Sequence, residues 1–343
     1  MFFYSALRSL LFYFDAEVAH KITINLLKTY KIKNNISHPS LSCDVFGLNF
    51  TNPVGLAAGF DKNSEVPNNI INLGFGFSEV GTVTPFPQKG NSKPRVFRLK
   101  NEDAIINRLG FNNEGFEAVK ERLCKRENNI IGVNIGANKN SEDFINDYLK
   151  GIKFFSSIAS YLTINISSPN TPGLRDFEAI DSFSSLLDKI DKLKRNSSEI
   201  SLPILIKISP DINNEDLESL CEKALSSSID GLIVSNTTIS RNSLNSEEKG
   251  GLSGKPLFDI STRKLSKVYK YTEGKIPLIG VGGVDSAEKA YKKIKNGASL
   301  IQLYTGLVYK GPRLINEINR GLVEFIEKDG FKNISEAVGV EVN

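Results

Sequence analysis

Eight short runs rich in Val, Ile and Leu, each followed by a polar loop and a helical stretch, restrict this chain to very few folds. They fall at residues 53–58, 77–81, 130–135, 162–166, 203–208, 231–235, 277–281 and 300–304. Short apolar strands alternating with helices indicate a parallel sheet, and eight of them indicate a closed α/β barrel, the (β/α)8 TIM barrel. A content of 40% hydrophobic and 24% charged residues is that of a globular protein with a substantial core. No interior linker is rich enough in Gly, Pro or Ser to separate a second domain, so the expected division is a helical arm over residues 1–38 and a barrel over 39–343. Residues 44–50 read as a small hairpin around Gly47, and the longer loop at 240–254 reads as a candidate lid.

Charge and cysteine content exclude several functions. The 43 basic residues are spread along the chain and nearly balanced by 39 acidic ones, so no nucleic-acid footprint is present. Cys43, Cys124 and Cys221 lie far apart without CxxC spacing, and with two His in the chain no metal-ligand cluster forms. The thiols are expected to be reduced core fillers.

Barrel enzymes build their sites from the loops after the strands, and here those strand ends are polar. Strand one runs into Ala57, Ala58, Gly59, Phe60, Asp61 and Lys62; strand two into Thr82; strand three carries Asn134. The fourth opens the stretch Asn165-Ile-Ser-Ser-Pro-Asn-Thr-Pro-Gly173, whose prolines and glycine would hold Ser168, Asn170 and Thr171 in a fixed arrangement. Lys207 stands inside the apolar fifth strand, where an ammonium is costly without an anionic or electron-rich partner. Gly282-Gly283 and Thr305-Gly306, after strands seven and eight, occupy the loops where barrels commonly seat a phosphate. The chain lacks a Gly-x-Gly-x-x-Gly unit, so a barrel-bound mononucleotide such as FMN fits better than a dinucleotide. Ala58 and Gly59 would admit its ring, Lys207 would sit near the electron-accepting edge, and Asn134 and Asn165 would bond its polar atoms. The amides Asn107, Asn112, Asn165, Asn170 and Asn236 match a ring with alternating N–H and C=O edges, and Lys62 suits a carboxylate on the same ligand.

The N-terminal segment is of another character. Residues 1–14 are mostly large and apolar, too short to span a bilayer and without a small-residue cleavage site before Asp15. From Glu17 the spacing becomes helical, with Ala19, Ile22, Leu26 and Tyr30 on one stripe and lysines beside it. Two short helices with an apolar outer face suit a membrane-associating arm; a helical arm packed on its own domain is the alternative.

The runs Asn165-Ile-Ser-Ser-Pro-Asn-Thr-Pro-Gly-Leu, Ala57-Ala-Gly-Phe-Asp-Lys62, Gly81-Thr-Val-Thr-Pro, Asn107-Arg-Leu-Gly-Phe-Asn-Asn, Gly250-Gly-Leu-Ser-Gly and Ile279-Gly-Val-Gly-Gly closely resemble the class 2, membrane-associated, quinone-dependent dihydroorotate dehydrogenases. The resemblance implies a flavoenzyme of pyrimidine biosynthesis that oxidises dihydroorotate to orotate with FMN and passes the electrons to a membrane quinone. It makes Ser168 the catalytic base. Substrate would be held by Lys62, Asn107, Asn112, Asn165, Asn170, Asn236 and Thr237, with Arg108, Leu109, Gly110 and Phe111 in the segment that closes over it. FMN would be held by Ala58, Gly59, Phe60, Asp61, Lys62, Thr82, Asn134, Asn165, Lys207, Ser235, Gly254, Gly283, Tyr304 and Thr305. The quinone would come in beside His20, Arg98 and Tyr304, with residues 1–33 making peripheral contact with the cytoplasmic face of the cell membrane, and a monomer is expected. The similar class 1 enzymes carry cysteine at the position of Ser168 and lack the arm. A class 1-like barrel using a soluble acceptor and a flavin-binding barrel without catalysis are the competing readings.

Overall fold

A computed structural model describes residues 2–29, 38–170, 174–197, 200–241, 244 and 246–342. Thr171, Pro172, Gly173 and Tyr30, named above, lie outside the described residues. The chain begins with helices α1 (Phe2–Leu11) and α2 (Ala16–Thr29), then the hairpin β1 (Cys43–Val45) and β2 (Leu48–Phe50). Barrel strands β3 (Val54–Leu56) and β4 (Phe77–Val83) follow, and the chain leaves the barrel for an antiparallel pair, β5 (Val96–Leu99) and β6 (Ala104–Asn107). It returns for β7 (Ile131–Ile135), β8 (Tyr161–Asn165), β9 (Ile204–Ile208) and β10 (Gly231–Val234). After β11 (Gly251–Gly254), which pairs with β6 outside the barrel, β12 (Leu278–Val281) and β13 (Ala298–Leu303) close the ring against β3. The result is a closed eight-stranded parallel barrel wrapped by helices, a (β/α)8 TIM barrel.

Local chemistry starts and orients these elements. Asp143 accepts a hydrogen bond from Asn146 N at 2.9 Å and so caps the helix Phe144–Phe155, whose Tyr148, Ile152 and Phe155 bury at a spacing of three to four residues. Each fully buried Leu, Ile or Phe of the core contributes about 1.5–3 kcal/mol relative to exposure. At the bottom of the barrel two glycines make room for rings. A Cβ on Gly55 would lie 2.3 Å from the Phe77 ring, and one on Gly132 would lie 2.1 Å from that of Tyr161.

The barrel lumen is not wholly apolar. Glu79, fully buried on β4, accepts from Asn134 Nδ2 at 2.8 Å, Tyr161 OH at 3.1 Å, Thr163 Oγ1 at 3.0 Å and Gln302 Nε2 at 2.9 Å. Four donors saturate a carboxylate and make its burial tolerable.

Two expectations need correction. Residues 251–254 of the supposed lid are a strand, because Gly251 to Gly254 pair antiparallel with Asn107 to Ala104. Cys124 is exposed rather than a core filler, whereas Cys43 and Cys221 are buried. In α2 Ala19 and Ile24 are buried while Leu26 is 54% exposed, so the helix carries apolar residues on both its inner and outer sides.

Candidate active site

A cavity of about 490 Å3 lies at the C-terminal ends of the barrel strands, roofed by α2 and by the sheet of β5, β6 and β11. Its wall takes Ala58, Gly59, Phe60 and Lys62 after β3, Thr82 from β4, Asn165 and Ser168 from the end of β8, and Lys207 from β9. Ser235, Asn236 and Thr237 follow β10, Gly254 ends β11, Gly283 follows β12, and Tyr304 and Thr305 follow β13. Parallel register brings Asn165 beside Lys207.

A chain of hydrogen bonds sets the floor. Starting from Glu79, Asn134 accepts from Thr82 Oγ1 at 2.6 Å, and Thr82 accepts from Asn165 Nδ2 at 3.0 Å. Asn236 Nδ2 donates to Asn165 Oδ1 at 3.2 Å and to Ser167 Oγ at 3.1 Å, while Ser167 Oγ donates to the Lys207 carbonyl at 2.7 Å. The orientation of each amide is thus dictated by its neighbour, ending at a carboxylate that can only accept. Ser167 has no role in the sequence reading; the structure makes it the tie between the serine loop, β9 and the loop after β10.

Lys207 Nζ has no hydrogen-bond acceptor among the described residues although the residue is 6% exposed. Burial pulls its pKa down and the charge of Glu79 acts in the opposite direction. Lys62 is held by the Gly59 carbonyl at 2.7 Å, and burial, opposed first by Glu17, pulls it down to about 8. Asn112 Oδ1 is buried and has no hydrogen-bond partner among the described residues. Two cations and an amide with spare bonding capacity therefore face one cavity.

The segment 107–112 bends over this floor. Phe111 has φ 53° and its ring lies against Gly136, where a Cβ would stand 3.0 Å from the ring and 2.6 Å from Thr82 Cγ2. Asn113 anchors the bend by donating to Thr84 Oγ1 and the Phe111 carbonyl, both at 2.8 Å, and by accepting from Thr84 N and Gly115 N. Nothing in the sequence distinguishes it from its neighbour Asn112. Asn107, Leu109, Gly110, Phe111 and Asn112 line the cavity, as does Asn170, whose Nδ2 reaches Asn107 Oδ1 at 3.5 Å. Ser168 is 5% exposed and accepts from Asn170 N at 3.3 Å.

The opposite wall belongs to the arm. His20 meets Phe60 edge-on at 5.2 Å and Phe60 meets Tyr304 at 5.5 Å, a row of three rings along the cavity. Burial, then the charge of Lys62, pulls His20 down to about 3. Glu17 forks onto Arg95 at 2.8 and 3.1 Å, clamping α2 to β5.

Four of the candidate residues stand apart from the cavity wall. Arg108 points outward and pairs with Glu248 at 2.6 Å. Asp61 is buried behind its loop, accepting from Glu65 N at 2.7 Å and Val66 N at 2.8 Å. Asn134 lies below the floor as described. Arg98 does not line the cavity: its guanidinium donates to the carbonyls of Leu11, Phe12 and Phe14 and covers the Phe12 ring at 4.6 Å, fastening the turn between the arm helices.

Both the sequence and the fold have known relatives. The sequence model of the family described as dihydroorotate dehydrogenase matches residues 40–326. A Brucella anthropi protein named dihydroorotate dehydrogenase (quinone) is 51% identical over 338 residues, covering 96% of this chain and 93% of that one. The Brucella ovis protein of the same name is also 51% identical, over 339 residues, with the same coverage. Among solved structures, the Eimeria tenella DHODH in complex with ferulenol superposes with a TM-score of 0.90 at 38% identity, covering 95% of this chain and 96% of that one. The ligand-free form of the Eimeria tenella DHODH gives 0.89 at 39% identity, covering 95% and 99%.

Proposed function

Because the chain belongs to the dihydroorotate dehydrogenase family, we propose that it oxidises (S)-dihydroorotate to orotate in pyrimidine biosynthesis, with a membrane quinone as final electron acceptor. The observation that carries this reading is the confluence in one cavity of the Ser168 hydroxyl, the Lys62 ammonium and the part-bonded amides. Lys62 suits the substrate carboxylate, and Asn112, Asn165, Asn170 and Asn236 suit the N–H and C=O edges of the ring. Amides on a ring carbonyl acidify the adjacent C5 proton, and Ser168 Oγ takes that proton and hands it to water. A serine hydroxyl is a poor base alone, so the acidification is what makes it competent.

The family is flavin-dependent, and this chain's residues fit FMN. Lys207 Nζ lacks an acceptor among the described residues, and Gly282 and Gly283 line the wall without side chains. Ala58, Gly59, Thr82, Asn165, Lys207, Ser235, Gly254, Tyr304 and Thr305 would hold it. When bound, FMN supplies the ring that takes the hydride from C6. On the far side His20, Phe60 and Tyr304 form the apolar approach for quinone. Exposed Leu10, Tyr13, Phe14, Val18 and Leu26 support peripheral contact with a membrane, its cytoplasmic face in this reading; among the described residues no helix is long and apolar enough to cross one.

Stopped-flow absorbance tests the proposal: mixing the flavin-loaded protein with dihydroorotate bleaches the flavin, and quinone restores its colour. Flavin that stays oxidised with dihydroorotate ends the enzyme reading. Reoxidation by fumarate or NAD in preference to quinone would move the protein to a soluble-acceptor class.

A further inference from the structure

Behind the Gly282-Gly283 wall lies a lysine that the proposed chemistry does not use. Lys293, on the helix Ala287–Lys295, is 0% exposed. No carboxylate lies within 4 Å of its ammonium among the described residues. Instead Nζ donates to Ser261 Oγ at 2.8 Å and Thr262 Oγ1 at 3.2 Å, on the helix Phe258–Tyr271. Both hydroxyls direct their own protons at carbonyls: Thr262 at Phe258 O, 2.7 Å, and Ser261 at Phe258 O, 3.1 Å, and Gly282 O, 3.2 Å. Each therefore turns lone pairs toward Nζ, an arrangement suited to a donor with three protons. Ser261 links the lysine directly to the cavity wall, since Gly282, Gly283 and Val284 line it.

An uncompensated buried cation costs several kcal/mol unless something stabilises it. The groups that touch Lys293 are neutral, two hydroxyls and the Phe258 ring, and none supplies a full counter-charge. Lys264, on the facing helix, is held by the Ile212 carbonyl, and Lys289 is paired with Asp285 at 2.8 Å. Both Lys289 and Lys293 approach the Phe258 ring, at 5.2 and 5.4 Å. Asp259 is the carboxylate whose charge favours the cation, and it does not reach it.

We infer that Lys293 is the buried counter-charge for the FMN phosphate, a positioning residue that acts through Ser261 and the Gly282-Gly283 wall without touching the ligand. The inference rests on the reading of that wall as the phosphate seat. Without phosphate, burial pulls Lys293 down to about 7, with Asp259 opposing; a dianion beyond the wall raises it again. The sign follows: the attraction is complete below pH 7, where the free protein already holds the cation, and is lost as pH rises through the liganded value. Proton uptake accompanies FMN binding above pH 7, and riboflavin, which lacks the phosphate, shows neither effect. The phosphate's own second ionisation, near pH 6, lies below this window.

The test is the dissociation constant of FMN and of riboflavin, measured by dialysis of the flavin-loaded full chain between pH 7 and 9. Wild type is expected to lose about tenfold of its preference for FMN across that range, a buried charge being little screened by salt. Lys293→Met is expected to weaken FMN about tenfold at pH 7, leave riboflavin unchanged and abolish the slope. A flat FMN preference in wild type overturns the inference even if the variant does not fold, as does an equal loss of both flavins in Lys293→Met. Equal affinity of wild type for FMN and riboflavin at every pH would instead remove the phosphate seat itself.

Discussion

Ser168 is the residue on which the proposed chemistry turns, and its surroundings define what removing it should do. Among the described residues its Oγ has one hydrogen bond, accepted from Asn170 N, so Ser168→Ala deletes a proton acceptor and leaves the floor network of Asn165, Asn236 and Ser167 intact. Flavin reduction by dihydroorotate should slow by about 100-fold or more, with orotate binding little changed; a rate within a few-fold of wild type in stopped flow would take Ser168 out of the mechanism. Lys62 gives a second expectation. Burial lowers it to about 8 in the free protein, so it is a cation below that pH and loses its charge above it. kcat/KM for dihydroorotate, which reports the free protein, should therefore fall as pH rises through 8. Lys62→Met should be slow at all pH and lack that limb; an unaltered alkaline limb in the variant would assign it to another group.

Among the elements, α2 depends most on protonation, because it brings both Glu17 and His20 against the barrel. The folded-state value of His20, about 3, lies below the ordinary 6.5, so protons favour the detached helix. Burial raises Glu17, but the hydrogen bonds and charge of Arg95 outweigh it and hold the carboxyl below 4.5, so its protonation also opposes docking. Both contributions are complete above pH 6.5; that of His20 fades as pH falls from there toward 3, and that of Glu17 below 4.5. Hydrogen exchange of residues 16–29, corrected for intrinsic rates, should accelerate between pH 7 and 4.5, and His20→Leu should suppress most of that change. Exchange independent of pH in wild type would refute this account. Legibility in the sequence also differed by element. The barrel strands are buried on both faces and so read as mainly apolar runs with few polar interruptions, whereas β5 is half-buried along its length and β11 is Gly-Leu-Ser-Gly, neither apolar nor alternating. The partners of β6 and β11 are also some 145 residues apart, as in Asn107 with Gly251, beyond any local pattern. For the same reason Arg98 could be noticed as a cation near the arm, while its use, fastening the carbonyls of Leu11, Phe12 and Phe14, exists only in three dimensions.

At the scale of the whole molecule, one cavity joins two compartments: the amides and Lys62 on the barrel side, and His20, Phe60 and Tyr304 under the arm. In the proposed reaction substrate and quinone would share one flavin from separate directions, and the arm's outer face would be the approach from a membrane. The direct experiment is removal of residues 1–33, which should spare flavin reduction by dihydroorotate and impair turnover with long-chain quinone. Deletion also strips Glu17 from Arg95, a 6% exposed guanidinium, and an uncompensated buried charge of that kind costs about 3–5 kcal/mol. Loss of activity could then reflect instability alone. A surface variant separates the two effects. Tyr13, Phe14 and Val18 are 88%, 44% and 45% exposed, and changing all three to Ser leaves Glu17 on Arg95 and should lower the melting temperature far less than deletion. It should abolish co-sedimentation with vesicles and slow turnover with vesicle-borne long-chain quinone, while a short, water-soluble quinone is reduced at the wild-type rate. If long-chain turnover in vesicles survives the triple change, the apolar face of the arm is packing surface rather than a membrane contact.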